Sequence, residues 1–401
     1  MAAILFWLCA FLIIYTYAGY PLALALLARL KARPAPYPKS APPVSLIIAA
    51  YNEEDVIEKK LENCLALAYP PGFLQIIVAA DGSDDRTVEI VRCWIENNQS
   101  RPGFPSVLLN DLPQRQGKMA AITRAVPLAS GDILVFSDAN NFYQPDTLME
   151  LVAPFREASV GGVSGAKHIL QEGDALAQSE GLYWKYESRI KAWEARLSSC
   201  TIASGEILAM RKTLYSPPPA GIINDDFYFA MHIIRQGFHL EYAPTARSFE
   251  TVSKTARDEM LRRERIVAGR YQAIALAPSL LPWRSPLVVW QVVSHKFLRP
   301  LVPFAMLGLF LSNLFLLLFP APPPWNVWAL SAPLNLLCFG GQVLFYLLAW
   351  LGSSVKLKGK VGKLLYLPTF LVHSNFAAVS GALRYLRRQQ TTSWTRVQRR
   401  T

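Results

Sequence analysis

Long stretches without a charged residue alternate with shorter hydrophobic runs along this chain of 401 residues. No Asp, Glu, Lys or Arg occurs in residues 1–28, 300–355 or 364–383. Each of these stretches reaches or exceeds the roughly 20 residues that a helix needs to cross the hydrocarbon core of a bilayer. The pattern therefore predicts an integral membrane protein, with an N-terminal transmembrane anchor over 1–30 and a C-terminal membrane region over 300–386.

The C-terminal membrane region divides into two clear spans, 300–319 and 325–351, and a third run, 364–383. Residues 285–299 mix apolar and basic side chains and predict an interfacial amphipathic helix. Lysines precede the third run and a basic tail, 387–401, follows it, and one crossing cannot place both flanks in the cytoplasm. Two alternatives stay open, because the run either is re-entrant or crosses and leaves the tail outside.

The charges near the membrane predict an orientation. Arg29, Lys31, Arg33 and Lys39 follow the first apolar segment, so the positive-inside rule places the next domain in the cytoplasm. The segment lacks a basic n-region and is too long for a signal-peptide core, which favours an uncleaved anchor. The net charge of +12 gathers beside the membrane segments, where it suits either anionic lipids or simple orientation signals. We therefore do not expect a nucleic acid partner.

Between the membrane segments, residues 44–284 predict a soluble domain of the α/β class. Short runs rich in β-branched residues alternate with amphipathic helical patterns, which is typical of a mostly parallel sheet covered by helices. The predicted strands are 44–51, 74–80, 106–109 and 132–139. Ligands bind such sheets outside the carboxyl ends of the strands, where Asn52, Asp81 and Asp138 fall.

Several motifs in this domain allow both a structural and a chemical interpretation. Asp81 in "AADGSDDRT" suits a turn, or a hydrogen bond to a base or ribose. Lys118 in "RQGKMAAI" precedes a helix, where it is either a solvated lysine or a phosphate-binding cation. In "SDAN", Asp138 ends a strand and Asn140 stands where a second metal-binding carboxylate is common. Five cysteines show neither zinc nor disulfide spacing and predict buried thiols in a reducing compartment.

Two later motifs carry opposite charges. Asp225 and Asp226 precede an apolar helical run, where acidic residues commonly stabilise a helix N-terminus. A carboxylate pair in a cleft can also raise one pKa and so supply a general base. Arg262 and Arg265 share a helix face. They form either a solvated basic face or a pair of guanidiniums for a diphosphate.

In order and spacing, these motifs resemble the membrane-integrated inverting glycosyltransferases of family 2, which include cellulose, chitin and hyaluronan synthases. "VSLIIAAYNEE", "VAADGSDD", "GK" at 117–118, "SDAN" and "NDD" at 224–226 carry the resemblance. "EGLYWKYE" and "SHKFLRP" are similar to a bacterial subgroup that acts on surface polysaccharides. The resemblance implies a GT-A-like nucleotide-diphospho-sugar domain together with transmembrane helices. It places the protein in a bacterial inner membrane, with this domain on the cytoplasmic side.

The resemblance also implies roles for particular residues. Donor binding would fall to Tyr51, Glu53, Asp81, Lys118 and Asp138, catalysis to Asp226 with Asp225, and diphosphate and acceptor contacts to Arg262 and Arg265. Asp138 and Asn140 would hold Mg²⁺ or Mn²⁺.

The sequence departs from the family pattern in three places. Asn140 replaces a carboxylate, Asn224-Asp225 replaces Thr-Glu, and Arg262 and Ile266 replace Gln and Trp of a Gln-x-x-Arg-Trp motif. The last departure puts processivity in doubt.

The expected function is inverting transfer of a sugar from a UDP- or GDP-linked donor to a hydroxyl acceptor during synthesis of a cell-surface or extracellular polysaccharide. One alternative is the addition of a single sugar to a lipid-linked acceptor, and another is an inactive membrane scaffold of the same fold. The expected partners are the donor, a saccharide or lipid-linked acceptor and membrane lipids. The small number of membrane helices also raises the prospect of an oligomer or an export partner.

Overall fold

A computed structural model describes residues 1–32, 37–169, 175–250, 256–320, 326–354 and 359–387. These residues form two compact units. One unit, named the catalytic unit after the family resemblance, contains the described residues of 25–259 and 276–289. The other, named the membrane unit after its long apolar helices, contains the described residues of 1–24, 260–275 and 290–387. The basic tail predicted over 387–401 lies outside the described residues except for Arg387.

The catalytic unit is built on one mixed sheet of eight strands. They are β1 Val44–Ala50, β2 Leu74–Asp81, β3 Ser106–Leu112, β4 Ile133–Asp138, β5 Phe142–Tyr143, β6 Val160–Ile169, β7 Leu208–Arg211 and β8 His239–Glu250. Their order is β3-β2-β1-β4-β7-β6-β8-β5. The first four strands in this order are parallel, and β7 runs antiparallel to both β4 and β6. The predicted α/β fold with a mostly parallel sheet is confirmed.

Both units contain α-helices. They are α1 Ala2–Ile14, α2 Tyr20–Arg29, α3 Ile57–Leu65, α4 Thr87–Asn98, α5 Lys118–Ala125, α6 Thr147–Val152, α7 Ala175–Leu197, α8 Asp225–Arg235, α9 Ala256–Ala275, α10 Ala277–Leu280, α11 Pro286–Val292, α12 Val302–Leu318, α13 Leu334–Ser354 and α14 Gly359–Leu386. A π-helical segment, Tyr15–Gly19, joins α1 to α2.

The parallel half of the sheet has the uninterrupted apolar character of strands that are covered on both faces. Every residue of β1 and of β2 is buried. The edge strand β3 instead keeps its side chains partly exposed. Helices α3 and α4 bury Ile57, Leu61 and Trp94 against this half of the sheet. Burial on both faces fixes the strand register, so the polar residues at the strand ends are held at one edge.

Three helical runs among the described residues are long and apolar enough to cross a membrane. They are Ala2–Arg29, Pro286–Leu318 and Leu334–Ser354. The predicted interfacial segment, 285–299, is therefore largely contained in the same helical run as the first C-terminal span. The third apolar run, 364–383, lies within the single helix α14, and its membrane crossing stays a prediction.

Residues Met260–Ala275 of α9 belong to the membrane unit, although the sequence placed them in the soluble domain. Glu264 forms an ion pair with Arg384 of α14 at 3.1 Å. A methyl group at Gly381 would come within 2.8 Å of Val267, so glycine permits close approach of the two helices. Arg262 and Arg265 thus stand on a helix that is packed against α14.

Candidate active site

Sheet register brings the predicted donor-binding residues to one edge. In the parallel pairs, Ala50 aligns with Ala80 and Ala49 aligns with Asp138. Tyr51 and Asp81 therefore each lie one residue beyond the Ala50–Ala80 pair. Asp138 ends β4, which neighbours β1 on the side opposite β2. Two strand spacings of about 4.8 Å separate the ends of β2 and β4 by roughly 10 Å. Polar side chains from the ends of β1, β2 and β4 are therefore available at one edge for a single ligand.

Asp81 is buried and fixes the loop that leads into α5. Its two carboxylate oxygens accept hydrogen bonds from the backbone N–H groups of Gln116 at 2.9 Å and Gly117 at 2.7 Å. Gly82 has a φ of +65°, and a methyl group there would meet the backbone nitrogen of Arg115 at 2.6 Å. The turn at Asp81-Gly82 is therefore hydrogen-bonded and closely packed against the loop that ends in Gly117-Lys118.

The loop after β1 is joined to the loop after β2 by side chains. Asn52 has a φ of +54° and hydrogen-bonds both to the Asp84 carboxylate and, through Oδ1, to its backbone N–H at 3.0 Å. The N–H of Glu53 donates to Thr87 at 2.8 Å, and the Glu53 side chain is buried. These contacts present Tyr51 at the edge, where the Arg115 guanidinium lies 3.8 Å from its ring centroid.

Lys118 and Asp138 form an ion pair at the centre of the edge. Lys118 Nζ lies 2.5 Å from Asp138 Oδ1, and both side chains are about four-fifths buried, with exposed fractions of 20% and 19%. Burial alone would lower the pKa of the Lys118 ammonium, but the charges of Asp138, Asp225 and Glu206 outweigh that effect and raise it. Lys118 therefore interacts electrostatically with three carboxylates of the site.

Asp225 and Asp226 occupy the first turn of α8, and Asn224 is the N-cap residue. Asp226 Oδ1 accepts a hydrogen bond from the N–H of Phe227 at 2.7 Å, which orients its carboxylate. The Cβ of Asp226 lies 3.6 Å from the position that a methyl group at Gly205 would occupy. The sequence-predicted acidic pair therefore lies beside the loop that contains Glu206.

Glu206 is a charged residue of this cluster that the sequence interpretation missed. Antiparallel pairing aligns Leu208 with Phe136. Glu206, two residues before Leu208, therefore stands level with Asp138, two residues after Phe136. Its carboxylate lies 3.2 Å from Lys167 Nζ, which also pairs with Glu250. Burial would raise the pKa of Glu206, but Lys167, a backbone N–H and Lys191 lower it to about 2. Glu206 thus stays ionised beside Lys118.

The Asp138–Asn140 turn offers oxygen ligands that suit a hard divalent cation. Asn140 is buried, and its Oδ1 has no hydrogen-bond partner among the described residues. No group of three or more His, Cys, Asp or Glu in the described part of the chain could hold a metal ion. Mg²⁺ sites often combine one or two protein carboxylates with substrate phosphates and water. Asp138 and Asn140 fit such a site, because they would supply one carboxylate and one amide oxygen. The donor diphosphate and water would supply the remaining ligands.

Residues 42–267 of the chain match a family described as "Glycosyltransferase like family 2". A poly-β-1,6-N-acetyl-D-glucosamine synthase of Staphylococcus aureus is 25% identical over 236 residues, which cover 58% of this chain and 55% of that protein. An N-acetylglucosaminyltransferase of Rhizobium meliloti is 25% identical over 304 residues, which cover 71% of this chain and 68% of that protein.

The match therefore spans little more than half the length of the S. aureus relative. Among solved structures, a mannosyltransferase from Pyrobaculum calidifontis, in complex with GDP-mannose and Mn²⁺, superimposes with a TM-score of 0.71 at 20% identity. That superposition covers 97% of this chain and all of the mannosyltransferase, which shows a shared fold.

Proposed function

Because this chain belongs to glycosyltransferase family 2, we propose that it transfers a sugar from a nucleoside diphosphate sugar to a hydroxyl acceptor, with inversion at the anomeric carbon. The observation that carries this proposal is the cluster of Lys118, Asp138, Asp225 and Glu206 at the carboxyl edge of the parallel strands. Asp226 adjoins that cluster in the first turn of α8.

Donor binding falls to the residues at the ends of β1 and β2 and to the start of α5. Tyr51 and Glu53 border the edge, and the turn at Asp81 positions the loop that carries Lys118. Each Asp81 oxygen retains a second acceptor position beyond its backbone hydrogen bond, so contact with the donor base is compatible with its structural role. The Lys118 ammonium would meet the diphosphate, whose negative charge it stabilises.

The acceptor hydroxyl gives its proton to Asp226. The hydroxyl oxygen then forms a bond to the anomeric carbon as the bond to the diphosphate breaks. Because attack and departure occur on opposite faces of the sugar, one displacement converts an α-linked donor into a β-linked product. Asp225 and Glu206 add negative charge around Lys118.

A divalent cation, Mg²⁺ or Mn²⁺, would be held by Asp138 and Asn140. When bound, it would neutralise negative charge that develops on the departing diphosphate. We assign Arg262 and Arg265 of α9 to the diphosphate and acceptor end, as the motif resemblance implies.

We further propose that the acceptor is a growing polysaccharide and that the catalytic unit faces the cytoplasm. Support for the polymer comes from the S. aureus relative, whose name describes a polymerising synthase. Support for the orientation comes from Arg29 and Lys31, which follow the first apolar segment. A ladder of products would agree with polymerisation, and a single addition would indicate the lipid-linked alternative.

The test is nucleoside diphosphate release by the detergent-purified full chain with Mn²⁺ or Mg²⁺. UDP-N-acetylglucosamine is the first donor, because both relatives are named for N-acetylglucosamine, and UDP-glucose and GDP-mannose follow. We expect Asp226→Asn to abolish release while donor binding, measured by calorimetry, remains. Loss of both would assign Asp226 to the fold, and absence of binding by every donor would favour the inactive scaffold.

A further inference from the structure

Lys60 is a lysine in the interior of the catalytic unit. It lies in α3, and its exposed fraction is 0%. The other buried residues of this helix are Ile57, Leu61 and Cys64, so Lys60 occupies a position on the apolar face of an amphipathic helix. A buried ammonium costs free energy that an apolar side chain of similar size would not cost. Its presence at this position therefore calls for a functional explanation.

The Lys60 ammonium contacts the chain just after the Asp138–Asn140 metal turn. Nζ donates a hydrogen bond to the carbonyl oxygen of Asn141 at 2.5 Å and lies 4.2 Å from the centroid of the Tyr143 ring. The N–H of Asn141 donates to the carbonyl oxygen of Asp138 at 3.2 Å and closes the turn. A single bond from Lys60 thus holds the last residue of the turn that begins with Asp138.

A second residue of α3 holds the same segment one turn of helix further along. Asn63 Nδ2 donates to the carbonyl oxygen of Tyr143 at 2.8 Å, and its Oδ1 accepts from the Tyr143 N–H at 2.8 Å. Asn141 itself is fully buried, and its side chain donates to Ser248 of β8 at 2.9 Å. The backbone that follows Asp138 is therefore fixed from helix α3 on one side and from strand β8 on the other.

Electrostatics connects Lys60 to the same site. Burial lowers the pKa of the Lys60 ammonium, while Cys64 and the Asp138 carboxylate oppose that shift. Asp138 thus lies under the influence of two lysines, Lys118 in direct contact and Lys60 behind the turn.

We propose that Lys60 is a positioning residue, which holds the turn from Asp138 to Asn141 so that the Asp138 carboxylate and the Asn140 amide oxygen converge on one divalent cation. This inference rests on the proposed function, since it presumes that the turn is the metal site. Lys60 would contact neither donor nor acceptor. Its role would resemble that of the outer residues around metal ligands, whose loss weakens metal affinity about 10- to 100-fold.

The experiment compares Mn²⁺ binding by wild type and Lys60→Met, measured by the electron paramagnetic resonance signal of free Mn²⁺, with UDP or GDP present. We expect the Kd for Mn²⁺ to rise about 10- to 100-fold in the variant. The thermal midpoint is expected to stay level or rise, because methionine removes a buried charge from the core. In turnover assays, KM for Mn²⁺ should rise while kcat at saturating Mn²⁺ is retained.

The matched control is Lys212→Met. Lys212 Nζ also donates to a backbone carbonyl, that of Ala129, at 2.5 Å, but near the opposite end of β4. This control should leave the Kd for Mn²⁺ unchanged. If Lys60→Met does not fold, Asn63→Ala removes the neighbouring anchor of the same segment and should weaken Mn²⁺ binding in the same direction.

An unchanged or tighter Kd for Mn²⁺ in folded Lys60→Met would overturn the inference and leave the proposed function intact. So would an equal loss in Lys212→Met, because it would show a general effect of destabilisation. If the wild type itself bound no Mn²⁺ with either nucleotide, the metal site of the proposed function would fail and the role of Lys60 with it.

Discussion

Glu206→Gln removes the charge of a mostly buried carboxylate while it keeps the size of the side chain. Glu206 is 13% exposed and lies 3.2 Å from Lys167, which keeps Glu250 as a second partner after the change. The substitution therefore leaves Lys167 with one carboxylate partner. Its effect on stability should report the electrostatic environment of Glu206.

The magnitude follows from the pKa of Glu206, which falls from an ordinary 4.5 to about 2 in the folded protein. At about 1.4 kcal/mol for each tenfold change in the proton dissociation constant, this corresponds to about 3 kcal/mol of stability at neutral pH. Because the folded pKa is the lower one, the contribution is complete above pH 4.5. It is lost as the pH falls from 4.5 through about 2.

The measurement is the thermal midpoint of the wild type and of Glu206→Gln, each in detergent, between pH 2 and pH 7. We expect a gap of roughly 6–12 °C at neutral pH, at about 2–4 °C per kcal/mol, which closes as Glu206 becomes protonated. Glu150→Gln is the control, since Glu150 pairs with the exposed Lys39 and should change stability by less than about 1 kcal/mol. A gap for Glu206→Gln that does not vary with pH would refute the electrostatic explanation and indicate a packing defect.

Two further substitutions test the ligands of the proposed metal site. Asn140→Asp adds a second carboxylate to the turn, so the Kd for Mn²⁺ with UDP or GDP should fall by about tenfold or more, and equal metal dependence would exclude Asn140 as a ligand. Lys118→Met removes the cation beside Asp138 and should lower kcat/KM about 10- to 100-fold, the value of a charged hydrogen bond to phosphate. Normal kcat/KM in that variant would assign Lys118 to the fold alone.

The sheet edge that carries the proposed donor site was predictable because local sequence determines it. Hydrophobic runs that end in Asn52, Asp81 and Asp138 predicted three parallel strands with polar ends, and parallel pairing brings such ends together. The start of α5 at Lys118 followed from a glycine before an amphipathic helix. These inferences needed only the hydrophobic pattern and the rule that ligands bind at the carboxyl ends of strands.

Glu206 and Lys60 were missed for two different reasons. Glu206 reaches the site through antiparallel pairing of β7 with β4, a contact between residues about 70 positions apart that no local pattern records. Lys60 left a signal, because it falls three residues after Ile57 and four before Cys64, on the apolar stripe of α3. A charged residue at such a position indicates either a buried partner or a break in the stripe.

In the proposed function, the reversal of strand direction between β4 and β7 assigns the two substrates to two stretches of the chain. The loops proposed to contact the donor lie within residues 51–118, at the ends of the parallel strands, whereas Asp226 and Glu206 come from α8 and the loop before β7, within residues 198–226. Substitutions that change the choice of donor therefore need not alter the segment proposed to deprotonate the acceptor. With these proposed roles, one specificity could change while the other is retained, and Asp138 lies on β4, the strand where the two halves of the sheet meet.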